Sequence, residues 1–326
     1  DTDEKNYQSW LDNPSDRPIM SPDIFKRKVF PLLNQGEQVY LIVFDNLRYD
    51  QWRVISQQIA DKFTFDEELY LSILPTATQY ARNAIFSGLM QSQIENMYPD
   101  LWVDEDSEEG KNLNEAPLIH KQLERYRRKE QFTYSKLNHS ADTEKLVNQL
   151  KKLSTKQLNV IVINFIDMLS HARTESTMVR ELASDEVGYR SITASWFRHS
   201  PVWELFDELA NTDAKILITT DHGSIRVNSP SKVIGDKNTN TNLRYKLGKN
   251  LSYNSKDVYV IKEPKKAFLP APNISTSYIF AKNDSFFAYP NNYNYYVSYY
   301  RNTFQHGGIS LEEMLIPLVT LQSKKR

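Results

Sequence analysis

The chain reads as short apolar runs set between longer amphipathic stretches. Gln38–Phe44 (QVYLIVF), Tyr70–Leu74, Asn159–Ile166 (NVIVINFI), Ile216–Thr220 (ILITT) and Leu315–Leu321 (LIPLVTL) are rich in β-branched or aromatic residues. Runs of this length without polar alternation predict strands buried on both faces. Between them, Leu47–Ile59, Gln79–Leu89, Ala116–Gln131, Asp142–Leu153 and two or three stretches of 174–210 carry apolar residues at helical spacing. Strands alternating with helices predict an α/β fold, a mainly parallel central sheet with flanking helices.

The remaining segments refine that outline. Residues 1–35 are polar with scattered apolar positions and read as an N-terminal linker or helical segment, with a helix start at Ser21-Pro22-Asp23. Residues 36–326 form the domain itself. Within it, about 227–300 changes character to Asn, Ser, Lys and Tyr with short β-like runs (VYVI, SYIF), which predicts a mixed insertion or cap. The acidic 99–112 reads as a surface loop. The tyrosine-dense 289–300 suits either the packing of edge strands or the stacking of nucleobases.

Composition narrows the function classes. Forty basic residues against 41 acidic leave a net charge of −1, so no global field draws in nucleic acid. With no cysteine in the 326 residues, disulfides, thiolate zinc sites and cysteine nucleophiles are excluded. No apolar run reaches the length of a membrane span, and DTDEKNYQSW is no signal peptide. The expectation is a cytoplasmic domain without membrane insertion, the C-terminal part of something longer. No GxSxG, Walker A or GxGxxG pattern supports a serine hydrolase, P-loop or dinucleotide reading.

The chemistry gathers at strand ends, where open α/β sheets place their sites. Three predicted strands end in Asp45, Asp167 and Asp221, and half of the six histidines, His171, His222 and His306, sit near strand tips or a glycine turn. Oxygen and imidazole ligands without sulfur suit Zn²⁺, Mn²⁺ or iron. Asp167 and His171 stand one helical turn apart. Six such ligands exceed one tetrahedral zinc and suit two metals, which together can clamp both oxygens of an in-line phosphoryl displacement. Pro75-Thr76-Ala77-Thr78 leads into a helix whose first N–H groups suit an anion. Asn46 reads equally as a phosphate contact or a helix cap. Arg48, Arg82, Lys232, Lys237 and Arg244 read as surface charges before phosphate contacts.

The order Asp45, PTAT at 75–78, Asp167-x-x-x-His171, Asp221-His222-Gly223 and His306-Gly307 resembles the alkaline phosphatase superfamily. FDNLRYDQW and PTATQYARNAIFSG resemble its PglZ branch, in particular the effector domain of PorX-type response regulators of the type IX secretion pathway. The resemblance covers roughly 36–326. It implies one metal held by Asp45, Asp221, His222 and the nucleophile, and a second held by Asp167, His171 and His306. It implies Thr78 as nucleophile, with Thr76 the alternative. The expected cofactors are two divalent ions, Zn²⁺ with Mn²⁺ as the alternative.

The implied activity is a two-metal phosphodiesterase acting on a nucleotide or on linear or cyclic oligonucleotides. Its setting would be the output domain of a response regulator, with a secretion-machinery or transcription protein as partner and a homodimer as its assembly. The competing expectation is a catalytically silent, metal-stabilised signalling module.

Overall fold

A computed structural model of the protein describes residues 2–105, 110, 113–153, 155–165, 169, 185–236 and 239–325. In chain order the strands are β1 (Val39–Phe44), β2 (Phe63–Leu71), β3 (Phe132–Leu137), β4 (Leu158–Ile163), β5 (Lys215–Thr220), β6 (Ile225–Arg226) and β7 (Ser229–Lys232). They continue as β8 (Tyr245–Gly248), β9 (Val258–Ile261), β10 (Ser277–Ala281), β11 (Ser285–Ala288), β12 (Phe304–Gln305) and β13 (Leu315–Ser323). Four helices matter most below: α1 (Thr2–Asp12), α2 (Phe30–Asn34), α3 (Tyr49–Ile59) and α4 (Thr78–Ser87).

The chain divides into two compact units. The sheet unit is Ile24–Tyr70, Leu123–Gly223 and Leu315–Arg326; the companion unit is Asp1–Asp23, Leu71–Gln122 and Ser224–Met314. Helix α1 therefore belongs to the companion unit and α2 to the sheet unit.

The sheet unit is built on six strands in the order β2-β13-β5-β1-β4-β3. Strand β1 pairs in parallel with β4 and β5, and β3 pairs in parallel with β4, while β13 runs antiparallel to β5. The mostly parallel α/β sheet expected from the apolar runs is thus the observed one. Its central strands β1 and β4 are buried at every position, which is why they show no alternation. Strand β2 lies at one edge and carries Asp66, Glu67 and Glu68 there, charges that discourage further strand pairing. Helix α3 packs against the helix Glu186–His199, where Gln51 Nε2 donates to Thr193 Oγ1 at 3.0 Å. Phe206, on the helix Pro201–Leu209, stacks on Phe44 with centroids 6.5 Å apart, and Phe165 meets the same ring edge-on at 6.3 Å.

Two strand assignments differ from the sequence pattern. Strand β2 begins at Phe63 rather than near Tyr70, because its polar residues belong to an edge and dilute the apolar signal. Strand β3 occupies Phe132–Leu137, beyond a helix that ends at Arg125. Most of its residues are only half-buried at the other edge of the sheet, so the sequence carries no apolar run there.

The companion unit holds three small sheets, antiparallel β8-β10-β9, parallel β11–β7 and antiparallel β12–β6. These are the mixed insertion that the composition change signals. The unit's core includes Ile225, Val227, Phe286, Ala288 and Val297, with Tyr293 and Tyr300 packed against it. The tyrosine-dense segment is the helix Tyr293–Tyr300, not an edge strand; Val297 is its buried residue, and Tyr295, Tyr296 and Tyr299 face outward.

Candidate metal centre

The registers of the central strands decide where the acidic residues fall. Phe44 of β1 stands opposite Thr220 of β5, so the next residue of each strand, Asp45 and Asp221, leaves the same sheet edge on adjacent parallel strands. Adjacent strands are about 4.8 Å apart, and His222 follows directly. Asp45, Asp221 and His222 each place a ligand atom within 4.8 Å of the others. Asp221 and His222 are wholly buried, and Asp45 is half-buried.

The loops after β1 and β5 are tied together. The Asn46 N–H donates to Asp221 Oδ1 at 2.9 Å, and the Leu47 N–H donates to Thr220 Oγ1 at 2.9 Å. Thr220 Oγ1 in turn donates to the His222 carbonyl at 3.0 Å, and the Tyr70 hydroxyl donates to the Thr220 carbonyl. Asn46 adopts a left-handed backbone, φ 55°, and is not the helix cap, since α3 starts at Tyr49 after Arg48.

The donor set fits a divalent cation. His222 Nδ1 lies 2.9 Å from the Gly223 carbonyl, to which it can only donate, so Nε2 is the ring nitrogen that a metal would take. Nε2 is the nitrogen on the carboxylate side, 3.6 Å from Asp221 Oδ2. Two carboxylates and an imidazole, largely out of water, form a set that a Zn²⁺ or Mn²⁺ ion satisfies. Among the described residues this is the one cluster of its kind.

The companion unit contains His306 and both threonines. Residues 71–87 are buried throughout except Thr78, which is half-buried at the first position of α4. Thr76 is wholly buried, and its hydroxyl is committed in both directions. It donates to the Gly308 carbonyl at 2.8 Å and accepts the Gly307 N–H at 3.0 Å. His306 Nδ1 lies 2.9 Å from the Thr76 carbonyl, to which it can only donate, so Nε2 is again the ring nitrogen that a metal would take.

The turn after His306 is held from behind by a buried ion pair. Arg244 and Glu313 are both wholly buried, with Arg244 Nε on Glu313 Oε1 at 3.0 Å and a second nitrogen on Oε2 at 2.8 Å. Glu313 Oε1 also accepts the Gly308 N–H at 3.0 Å. A Cβ on Gly307, whose φ is +123°, would come 2.6 Å from Tyr245 Cδ1, so the turn requires glycine.

The expected site residues therefore stand as follows. Asp45, Asp221 and His222 converge in the sheet unit. Thr78, Thr76 and His306 share the companion unit. Asp167 and His171 lie outside the described residues. Two of the expected surface cations are instead internal: Arg244 pairs with Glu313, and Arg82 Nε donates to Glu115 Oε1 at 2.6 Å with both side chains buried. Arg48 is paired with Asp50 at 2.9 Å, Lys232 Nζ sits 4.8 Å above the Tyr293 ring, and Lys237 lies outside the described residues. His120, His139 and His199, given no role from sequence, are exposed. The roles of Thr76, Thr220 and Glu313 had no signal in the sequence pattern.

Comparisons with known proteins agree with this architecture. The family described as the BREX system PglZ alkaline phosphatase-like domain matches residues 24–321. Murine ectonucleotide pyrophosphatase/phosphodiesterase 5 is 10% identical with a TM-score of 0.57, the match covering 87% of this chain and 88% of that one. An inactive threonine-to-alanine form of the murine protein in complex with AMP aligns at TM-score 0.52 and 10% identity, covering 87% of each chain. Phosphonoacetate hydrolase from Sinorhizobium meliloti 1021, in complex with phosphonoformate, aligns at TM-score 0.53 and 11% identity, covering 87% of this chain and 90% of that one. At these identities the likeness shows a shared fold. No curated protein matches the chain, and no helix among the described residues is long and apolar enough to cross a membrane.

Proposed function

The chain belongs to the PglZ family of alkaline phosphatase-like domains, and on that premise we propose that it is a two-metal phosphodiesterase with Thr78 as nucleophile. The observation that carries the reading is the convergence of Asp45, Asp221 and His222 at the ends of adjacent strands. In this reading those three residues hold one divalent ion and Asp167, His171 and His306 hold the other, Zn²⁺ before Mn²⁺. Divalent ions in such a pair, when bound, withdraw charge from phosphoryl oxygens and lower the pKa of a coordinated hydroxyl or water.

The chain's own groups divide the remaining work. Thr78 Oγ1 forms a bond to phosphorus as the bond to the leaving alcohol breaks, and the threonine proton is transferred to that alcohol. Water then cleaves the phosphothreonine, restoring the hydroxyl and releasing a phosphomonoester. The partial exposure of Thr78 supports this choice over Thr76, whose hydroxyl already bridges Gly307 and Gly308. The first N–H groups of α4 supply dipoles for the charge that develops on the phosphoryl oxygens.

A nucleotide-like diester is the proposed substrate class, supported by the AMP complex of the murine protein and by that protein's described activity. The family resemblance extends the proposal to linear or cyclic oligonucleotides, a cytoplasmic response-regulator output domain, a secretion or transcription partner and a homodimer. The test is hydrolysis of bis(p-nitrophenyl) phosphate by zinc-loaded protein beside Thr78→Ala. Activity lost in the variant is the expected result. An inactive parent that binds zinc would replace this reading with the signalling module, and an active variant would remove Thr78 from its role.

A further inference from the structure

Asn46 carries a side-chain feature that neither the loop nor the helix explains. The residue is 9% exposed, and its side-chain carbonyl oxygen Oδ1 is buried with no hydrogen-bond partner among the described residues. Buried polar atoms are almost always paired, so an orphan acceptor beside a cation site marks a missing partner. A hydrogen-bond donor or a cation can satisfy such an oxygen.

Its surroundings favour the cation. Asn46 follows Asp45 in the chain, and its N–H is bonded to Asp221 Oδ1 at 2.9 Å, so its backbone is fastened to two of the three candidate ligand residues. The left-handed φ of 55° means that the side chain departs in a direction that an ordinary extended residue would not give it. Asparagine is among the few side-chain-bearing residues that take this conformation readily. A capping role is ruled out by the helix start at Tyr49.

We propose that Asn46 Oδ1 is a further ligand of the ion held by Asp45, Asp221 and His222. The carboxamide contributes a neutral oxygen, raising the sheet unit's donors to three oxygens and one imidazole nitrogen. Such an oxygen-rich set suits Mn²⁺ and Mg²⁺ as well as Zn²⁺, whereas thiolate-rich sets select zinc. The oxygen adds no charge, so it tightens the site without increasing the repulsion between the two carboxylates. The inference rests on reading those three residues as a cation site, and it is independent of which reaction follows.

Two variants separate this role from the alternatives. Asn46→Gly keeps the left-handed backbone and removes the oxygen; Asn46→Asp keeps an oxygen donor and adds charge. Affinity for Zn²⁺ and for Mn²⁺ is measured by competition with a chromogenic chelator on the intact chain, with thermal melting as the folding control. The expected result is that one equivalent binds at least about tenfold more weakly in Asn46→Gly, and that Asn46→Asp binds it as tightly as the parent or tighter.

Unchanged metal affinity in Asn46→Gly would overturn the proposal. So would a loss that Asn46→Asp fails to restore. The parallel measurement is binding of inorganic phosphate to the zinc-loaded proteins. If Asn46→Gly keeps its metal but loses phosphate, and Asn46→Asp loses it further, the amide is a substrate contact instead and the ligand assignment is wrong. A parent that binds metal with this Asn46 dependence yet hydrolyses no diester would sink the phosphodiesterase reading and leave the ligand assignment standing. A parent that binds no metal would end both.

Discussion

The hydroxyl of Thr76 bridges two neighbours across the length of the chain, donating to the Gly308 carbonyl at 2.8 Å while accepting the Gly307 N–H at 3.0 Å. With His306 Nδ1 on the carbonyl of the same threonine, one residue sets both the turn and the imidazole that precedes it. The two threonines of the PTAT segment are therefore not equivalent, and mutation should separate them.

Thr76→Val preserves volume and removes the hydroxyl. It leaves the Gly307 N–H and the Gly308 carbonyl without that partner, at a cost of about 1–3 kcal/mol. Thr78→Ala removes a half-buried hydroxyl at a helix start and should abolish diester hydrolysis at a smaller cost in stability than Thr76→Val. Urea unfolding reports the first effect and diester hydrolysis the second. Equal destabilisation by both variants would contradict the assignment.

The pair Arg244–Glu313 offers a sharper stability test. Both side chains are wholly buried, and Glu313 also receives the Gly308 N–H and the Ser310 hydroxyl. Arg244→Met strands a buried carboxylate and should cost about 3–5 kcal/mol. The double variant Arg244→Met, Glu313→Gln removes both charges and should recover part of that loss. A double-mutant cycle in urea with no coupling between the two positions would refute the pairing as a stability element.

At the metal cluster, Asp221→Asn retains shape but weakens one ligand and its hold on the Asn46 N–H. Zinc affinity at one equivalent should fall by roughly 100-fold or more, at or beyond the upper end of the effect of residues that only orient a ligand. Equilibrium dialysis with metal analysis gives the answer. An unchanged stoichiometry and affinity would place the ion elsewhere.

Lys246 makes a pH-dependent contribution with a definite sign. It is 2% exposed, its Nζ donates to the Asn240 carbonyl at 2.7 Å, and it lies 4.9 Å from the Tyr289 ring. Burial pushes its ammonium from the ordinary 10.5 down to about 8. Below pH 8 both folded and unfolded states hold the proton, and the penalty of burying the charge, on the order of 3 kcal/mol, is present in full. Between pH 8 and 10.5 the folded state releases the proton first, so stability rises with pH.

Burial raises the phenols of Tyr7, Tyr80, Tyr245 and Tyr278 above the ordinary 10.0, so their contribution falls as pH climbs beyond that value. The parent should therefore gain stability from pH 8 to about 10 and lose it above. In Lys246→Met the rise should be absent and the alkaline loss retained. Urea unfolding at pH 7, 9 and 10.5 checks both, and a rise that survives in the variant assigns it to another group.

Much of the sheet unit is legible in the sequence. β1, β4, β5 and β13 announce themselves as apolar runs because burial on both faces admits little else. β2 and β3 did not, since edge strands keep polar residues facing water. The acidic tips Asp45 and Asp221 were equally readable, and register brought them onto neighbouring positions. Arg82 and Arg244 read as surface cations because a lone arginine in a sequence does not name its carboxylate. Arg244 finds Glu313 only 69 residues later.

By itself the sequence determined the fold class, the strand tips and the residue types able to hold a cation, because these follow from local pattern and donor chemistry. Tertiary structure decided what the Thr76 hydroxyl binds, that Nδ1 of His222 and of His306 faces a backbone carbonyl, and that Asn46 buries a carbonyl oxygen with no hydrogen-bond partner among the described residues. Each of those facts depends on where a hydrogen-bond partner lies, or fails to lie, after folding. Thr76 and Gly308 are 232 residues apart, and Asn46 and Asp221 are 175 apart. Over such separations the meeting of two groups is set by strand register and packing, which leave no local trace in the chain.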